Sequence, residues 1–240
     1  IVCMIRNMEP FKYPLLKNPF KEVIKNFIRR LVSLKALRNA DRIIAISNFV
    51  KSFLENELNF NVEKIGLIYH GVETDNAQMP MKPLSIATKP DRSIFTAGSI
   101  RPARGLEDIL NAVKIVVNNG VKIRLLIAGS VEPVMNKYKR RLDYLIKSNG
   151  IEEHVQWIGN LNEKEMAWCY QNCDIFVMTS RVEACPNIVL EAMANGCISI
   201  STESPPMPEF FQDAAVYYPP KNAKVLAEKI LEVMSWPEEK

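Results

Sequence analysis

Two glutamates stand eight positions apart in EACPNIVLEAMANGC, residues 183 to 197. Around the second, Glu191, the run Ile188, Val189, Leu190, Ala192, Met193 and Ala194 is apolar on every side, the pattern of a helix in a packed interior. A carboxylate in such a place is costly unless it is hydrogen-bonded, which makes Glu191 a candidate for holding something polar. A second concentration of chemistry lies in AGSIRPARG, residues 97 to 105, with Gly98 and Gly105 beside Arg101 and Arg104. Glycine lets a backbone come close to a ligand, and the arginine fork matches phosphate oxygens in pairs. Arginine near a helix start opposes the helix dipole unless an anion sits there as well. The combination suits a nucleoside diphosphate, held by arginine and by a helix start near Pro186 and Asn187.

The elements that must position these residues alternate. SIFTAG, IRLLIAG, VQWIGN, DIFVMTS, CISIS and AVYYPP read as apolar strands, separated by helical patterns such as GLEDILNAVKIVVNNG and KYKRRLDYLIKSNG. Strands this apolar, each followed by a helix, predict a parallel sheet covered on both faces. Residues 91–240 are therefore expected to form a doubly wound, Rossmann-like α/β domain. Residues 1–90 are expected to hold part of a second such unit, with strands at DRIIAIS and KIGLIYHGV and a Pro-rich polar linker over 74–92. Ligands of doubly wound sheets bind outside the carboxyl ends of the strands. That rule selects four loops: 97–105, AGSVEP at 128–133, IGNL at 158–161 with Gly159, and TSRVEACPN at 179–187. None contains GxGxxG or a Walker lysine, which disfavours a nicotinamide enzyme or a P-loop ATPase.

Composition narrows the rest. With 240 residues, 48% of them apolar, the chain can build a real core, and no apolar run approaches a membrane span. The opening IVCMIRNMEP has no basic start followed by an apolar stretch, and it begins within a strand without Met, which reads as a piece of a longer protein. Five cysteines with no paired framework predict a reducing, cytoplasmic setting, and Cys169 and Cys173 read as core. Two histidines leave little material for a Ser-His-Asp triad or a His-rich metal site, and His154 reads as a surface or structural residue. Residues 1–45 hold ten Lys or Arg against Glu9, Glu22 and Asp41. Much of this charge lies in KEVIKNFIRRLVSLKALRNA, where Val23, Ile24, Phe27, Ile28, Leu31, Leu34 and Leu37 recur at helical spacing. Such a helix can lie on anionic lipid at the inner membrane face, or can pack on its own sheet with a solvated cationic face. Nucleic acid is disfavoured, since no aromatic residues interleave with the cations.

These motifs together resemble the retaining GT-B glycosyltransferases of family 4. Glu183 and Glu191 with AMANG behind them are similar to the family's E-x7-E signature, GSIRPARG to its G-R-L-x-x-x-K-G segment, and IYHGVE to its N-G-V-D strand end. The resemblance implies a fold of two Rossmann-like domains and a nucleotide-diphosphate sugar as donor, with no metal or other cofactor required. It also implies a glycan or lipid-linked acceptor, as in polysaccharide biosynthesis. Glu183 is implied as the catalytic carboxylate beside the transferred sugar, and Glu191 as the ligand of the ribose hydroxyls. Ala184, Cys185, Pro186 and Asn187 are implied in the loop that meets sugar and phosphates, and Arg104 at the pyrophosphate-binding lysine position. Ser99 stands where the family has arginine, with Arg101 as the substitute. Arg6 and Asn7 occupy the strand where many members carry an acceptor-side His, and His70 replaces the usual Asn.

Other readings stay open on the same residues. Glu191 could have an ordinary partner within the fold, Glu183 could be a solvated loop carboxylate, and the arginines could merely flank a helix. The chain could bind a nucleotide sugar without turning it over, or epimerise one on the same GT-B architecture.

Overall fold

The computed structural model describes residues 1–14, 17–72 and 79–236. Two parallel sheets organise them. In the first, β1 (Val2–Met4), β2 (Arg42–Ala45) and β3 (Ile65–Leu67) lie in the order β1-β2-β3. Around it are α1 (Glu9–Lys12), α2 (Phe20–Arg38) and α3 (Asn48–Ser52), the last continuing as a wider helical turn through Glu57.

The second sheet has six strands: β4 (Ser93–Ala97), β5 (Arg124–Ala128), β6 (Val155–Gly159), β7 (Ile175–Met178), β8 (Ser199–Thr202) and β9 (Ala215–Tyr218). Their order is β6-β5-β4-β7-β8-β9, all parallel. Connecting them are α4 (Leu106–Asn118), α5 (Asn136–Asn149), α6 (Glu163–Asn172), α7 (Asn187–Ala194), α8 (Met207–Phe211) and α9 (Ala223–Met234). Both faces of this sheet are dry, and strand alternation divides the side chains between them. Ile94, Leu125, Ile127, Ile175 and Val177 face α4, α5 and α9. Phe95, Leu126, Phe176 and Met178 face α6, α7 and α8. The near-continuous apolar strands of the sequence are thus accounted for by burial on two sides.

Four details depart from expectation. The proposed linker over 74–92 lies partly, at 74–78, outside the described residues. Its later part packs on the second sheet, with Ile86 buried and Ser85 Oγ donating to the Ile158 carbonyl at 3.2 Å. Helix α7 is not interior on every side: it buries Val189 and Ala192 fully, and Ala194 is exposed. The short helices α1 and α8 were not read from the sequence; their Pro10 and Pro208 sit in the first turns, where a missing N–H costs nothing.

Helix α2 departs most. Its inward face is largely polar, with Glu22 and Asn26 fully buried and only Leu37 of the apolar stripe reaching the core, whereas Phe20, Ile24, Phe27, Ile28, Leu31 and Val32 are exposed. The expected packing of the apolar stripe on the sheet is therefore not what the described residues show. The reason is visible in Glu9, whose Oε1 accepts from the amides of Asn18 (2.9 Å) and Asn26 (3.2 Å), and in Arg29, which donates to Glu22 (3.1 Å) and Asn26 (3.2 Å), so that a polar network holds this face while Glu22 Oε2 is left without a hydrogen bond.

Candidate functional site

The strand order of the large sheet reverses between β4 and β7, so the carboxyl ends of those two strands diverge and leave a crevice. Gly98, Arg104, Thr179 and Ser180 line it. The loops on either side are stitched together. Thr179 Oγ1 donates to the Arg104 carbonyl at 2.6 Å, and the Arg181 N–H donates to the Ala103 carbonyl at 2.7 Å. Below them Arg181 forms a two-pronged ion pair with buried Asp108, whose Oδ2 also accepts from Tyr218 Oη (3.2 Å) and Lys221 N (2.9 Å). The crevice is tight for reasons of backbone geometry. Gly98 has φ of 128°, and a Cβ there would stand 2.9 Å from Arg104 Cζ. Gly129, at φ of 140°, approaches so closely that a Cβ would meet the Gly98 carbonyl oxygen at 1.9 Å. Only glycine meets both demands.

Arg104 turns from this crevice toward the seam between the two sheets. Its Nη1 donates to Ser180 Oγ at 3.2 Å and pairs with Glu183 Oε1. On the far side of the pair is a cavity of about 230 Å³ between the units, lined by Arg6, Asn7, Glu9, Arg101, Arg104 and Glu183. Sequence positions nearly 180 residues apart are thereby brought together. Arg101 is only 12% exposed, with Nη1 on Glu9 Oε2 at 2.6 Å and Nη2 near Glu132 (3.4 Å) and Glu22 (3.7 Å). Its guanidinium is committed to carboxylates, Glu9 and Glu22 across the seam and Glu132 on its own side, a role that its sequence position did not announce.

The loop 184–187 is gripped from the small-sheet side. Ser47 Oγ donates to the Ala184 carbonyl at 2.7 Å, and His70 Nδ1 lies 3.0 Å from Asn187 Oδ1. Glu209 of α8 accepts from the backbone N–H groups of Asn48 (2.5 Å) and Phe49 (3.0 Å), and from Tyr69 Oη (2.7 Å). Ala184 is buried, and burial pushes the half-buried Cys185 thiol up from its ordinary range. Pro186 precedes Asn187, the first residue of α7, which is exposed. Glu191, a turn further on, accepts from Tyr170 Oη at 3.0 Å. Burial and then the Glu191 charge push the Tyr170 phenol well up, so it remains a donor. Half-buried Ser99 follows Gly98, and Gly159 is exposed at the end of β6, accepting from Gly129 N at 2.7 Å.

Sequence reasoning missed Tyr170, Ser47, Glu9 and Glu209. Ser47 did carry a signal, as the N-cap of α3 accepting from Val50 N at 3.1 Å, but the cap says nothing of its bond to Ala184. Among the described residues no helix is long and apolar enough to cross a membrane.

The sequence pattern of the Glycosyl transferases group 1 family matches residues 83–240, and that of Glycosyltransferase Family 4 matches residues 1–76. An uncharacterized glycosyltransferase of Methanocaldococcus jannaschii is 24% identical over 217 residues, 89% of this chain and 55% of that protein. Mannosylfructose-phosphate synthase of Agrobacterium fabrum is 25% identical over 214 residues, covering 82% of this chain and 45% of the relative. The chain thus spans about half the length of these curated relatives. Among solved structures, Anabaena Alr3699/HepE in complex with UDP and glucose superposes with a TM-score of 0.79 at 17% identity, covering 98% of this chain and 62% of that one. Sucrose-phosphate synthase from Thermosynechococcus elongatus gives 0.77 at 18% identity, over 98% and 58%. These likenesses place the two sheets in the GT-B fold. The chain belongs to the group 1 glycosyl transferases, the glycosyltransferases of family 4.

Proposed function

We propose that this protein transfers a hexose from a nucleoside diphosphate sugar to a glycan or lipid-linked acceptor, with retention at the anomeric carbon. The observation that carries the reading is Arg104, which lines both the switch-point crevice and the inter-unit cavity and meets Glu183 between them. A diphosphate held by Arg104 at the mouth of the crevice leaves the sugar beside Glu183. There the carboxylate stabilises the oxocarbenium-like charge that grows as the anomeric bond breaks. Tyr170 occupies Glu191 Oε2 and leaves Oε1 for a ribose hydroxyl. Arg101 is assigned to holding the units together, because drawing it to a phosphate would strand Glu9. Arg104, the Ser99 hydroxyl and the start of α7 supply the charge and donors that a leaving diphosphate needs, so the reading requires no metal. The nucleotide-bound Anabaena structure supports this donor class.

The test is product formation by the protein supplied with a nucleoside diphosphate sugar and an acceptor. Acceptor-dependent glycoside formation is expected, and Glu183→Ala should keep nucleotide affinity while losing roughly 2–4 kcal/mol of barrier lowering. Donor interconversion without acceptor would instead favour the epimerase, and nucleotide binding without any turnover the binding module.

The exposed apolar stripe of α2 favours a second element of the reading, peripheral contact with an anionic membrane that carries the acceptor. Lys21, Lys25, Arg30 and Lys35 accompany Ile24, Phe27, Ile28 and Leu31 on the exposed surface of this helix.

A further inference from the structure

Most cations around the inter-unit cavity have a carboxylate partner. Arg104 is paired with Glu183, and Arg101 with Glu9. Behind them Arg29 lies 3.1 Å from Glu22, and Lys25 is 3.6 Å from Glu132. Arg6, exposed at the rim on the segment after β1, has no carboxylate or hydrogen-bond partner among the described residues. The carboxylate nearest in sequence, Glu9, is already saturated: its Oε1 takes two amides and its Oε2 takes Arg101. The network therefore carries one positive charge in excess, and that charge is Arg6. Next to it Asn7 spends its Oδ1 on the Glu9 N–H at 2.9 Å, which leaves its amide NH2 as a second donor on the same wall.

We infer that Arg6 and Asn7 form a subsite for an anionic group on the acceptor, a phosphoryl group carried by a sugar phosphate or by a phospholipid headgroup. This deepens the glycosyltransferase reading, on which it rests. A guanidinium and an amide NH2 together present donors only, the complement of phosphoryl oxygens. The subsite and Glu183 line the same cavity from opposite units, so an acceptor tethered at Arg6 by its phosphate has its hydroxyls held near the place where the sugar is transferred.

The test is calorimetric titration of the 240-residue chain, with inorganic pyrophosphate saturating the Arg104 crevice. Glucose 6-phosphate is compared with glucose, and phosphatidylcholine vesicles with and without phosphatidylinositol are compared in parallel. Arg6→Gln should weaken the phosphorylated probe by about tenfold, the scale of one charged hydrogen-bonded contact, and leave glucose unchanged. Arg6→Lys should recover part of the loss. Asn7→Asp, which keeps an acceptor for the Glu9 N–H, should weaken the same probe by repulsion. An Arg6-dependent loss for glucose 6-phosphate identifies a soluble source, and one confined to the vesicles a lipid headgroup. Equal binding of phosphorylated and neutral probes, or affinities that ignore Arg6 in both arms, overturns the subsite. The donor reading fails separately, if pyrophosphate itself does not bind or its binding ignores Arg104→Ala.

Discussion

The hydroxyl of Tyr170 on α6 donates to Glu191 Oε2 on α7 at 3.0 Å, and the phenol is packed against Phe95 and Phe176. The carboxylate is thus aimed by a buried donor that has little freedom to turn. Glu191→Gln should weaken nucleoside diphosphate binding by about 1–3 kcal/mol, measured by calorimetry with UDP, GDP and ADP in turn. Tyr170→Phe should cost less affinity, since the carboxylate keeps its charge and loses only its orientation. Unchanged affinity in Glu191→Gln would dismiss the ribose role.

Arg104 should discriminate between ligands by their phosphates. Arg104→Ala is expected to lose about 1.5–3 kcal/mol of binding for a nucleoside diphosphate and little for the bare nucleoside. Titrating both ligands against both proteins is sufficient. Equal losses would assign Arg104 to the architecture of the loop.

Asp108 should be structural. It is 5% exposed and takes bonds from Arg181, Tyr218 and Lys221. Asp108→Ala would leave Arg181, itself largely buried, without its partner, a loss of about 3–5 kcal/mol in systems where a buried pair is broken. Urea unfolding followed by circular dichroism reads this directly. A midpoint within error of the parent would show that Arg181 finds water or another acceptor.

The α2 stripe should make membrane binding depend on apolar and cationic residues together. Sedimentation with anionic vesicles is expected to fall with added salt, and Phe27→Glu should abolish it at low salt. Binding that ignores both salt and Phe27 would leave the stripe as a surface for another protein segment.

Much of this architecture was legible because it is local. The strands of the large sheet carry runs such as Leu125, Leu126, Ile127 and Ala128, and the helices between them end at glycines such as Gly120 and Gly150. The glutamate pair and the Gly98–Arg104 segment were legible for the same reason, since their spacing is short. The seam was not. Arg101 lies beside the diphosphate loop in sequence, but its direction is set by Glu9, 92 residues away, and no periodicity reports such a partner. Helix α2 misled in the opposite sense: its apolar repeat was plain, but Glu22 and Asn26 are buried by a polar network that depends on tertiary contacts. Charges and amides are paired by the assembled fold, whereas apolar periodicity is written residue by residue.

Glu209 closes a mechanical question about that seam. Its two oxygens engage consecutive backbone amides, those of Asn48 and Phe49, at the start of α3. A single bond between two bodies acts as a swivel, but a fork on adjacent amides resists twisting as well as separation. Small rotations of one body against the other strain both prongs at once, while a larger excursion releases both together. With the Ser47–Ala184 and Arg101–Glu9 bonds beside it, the fork makes the joint resist twist and separation together.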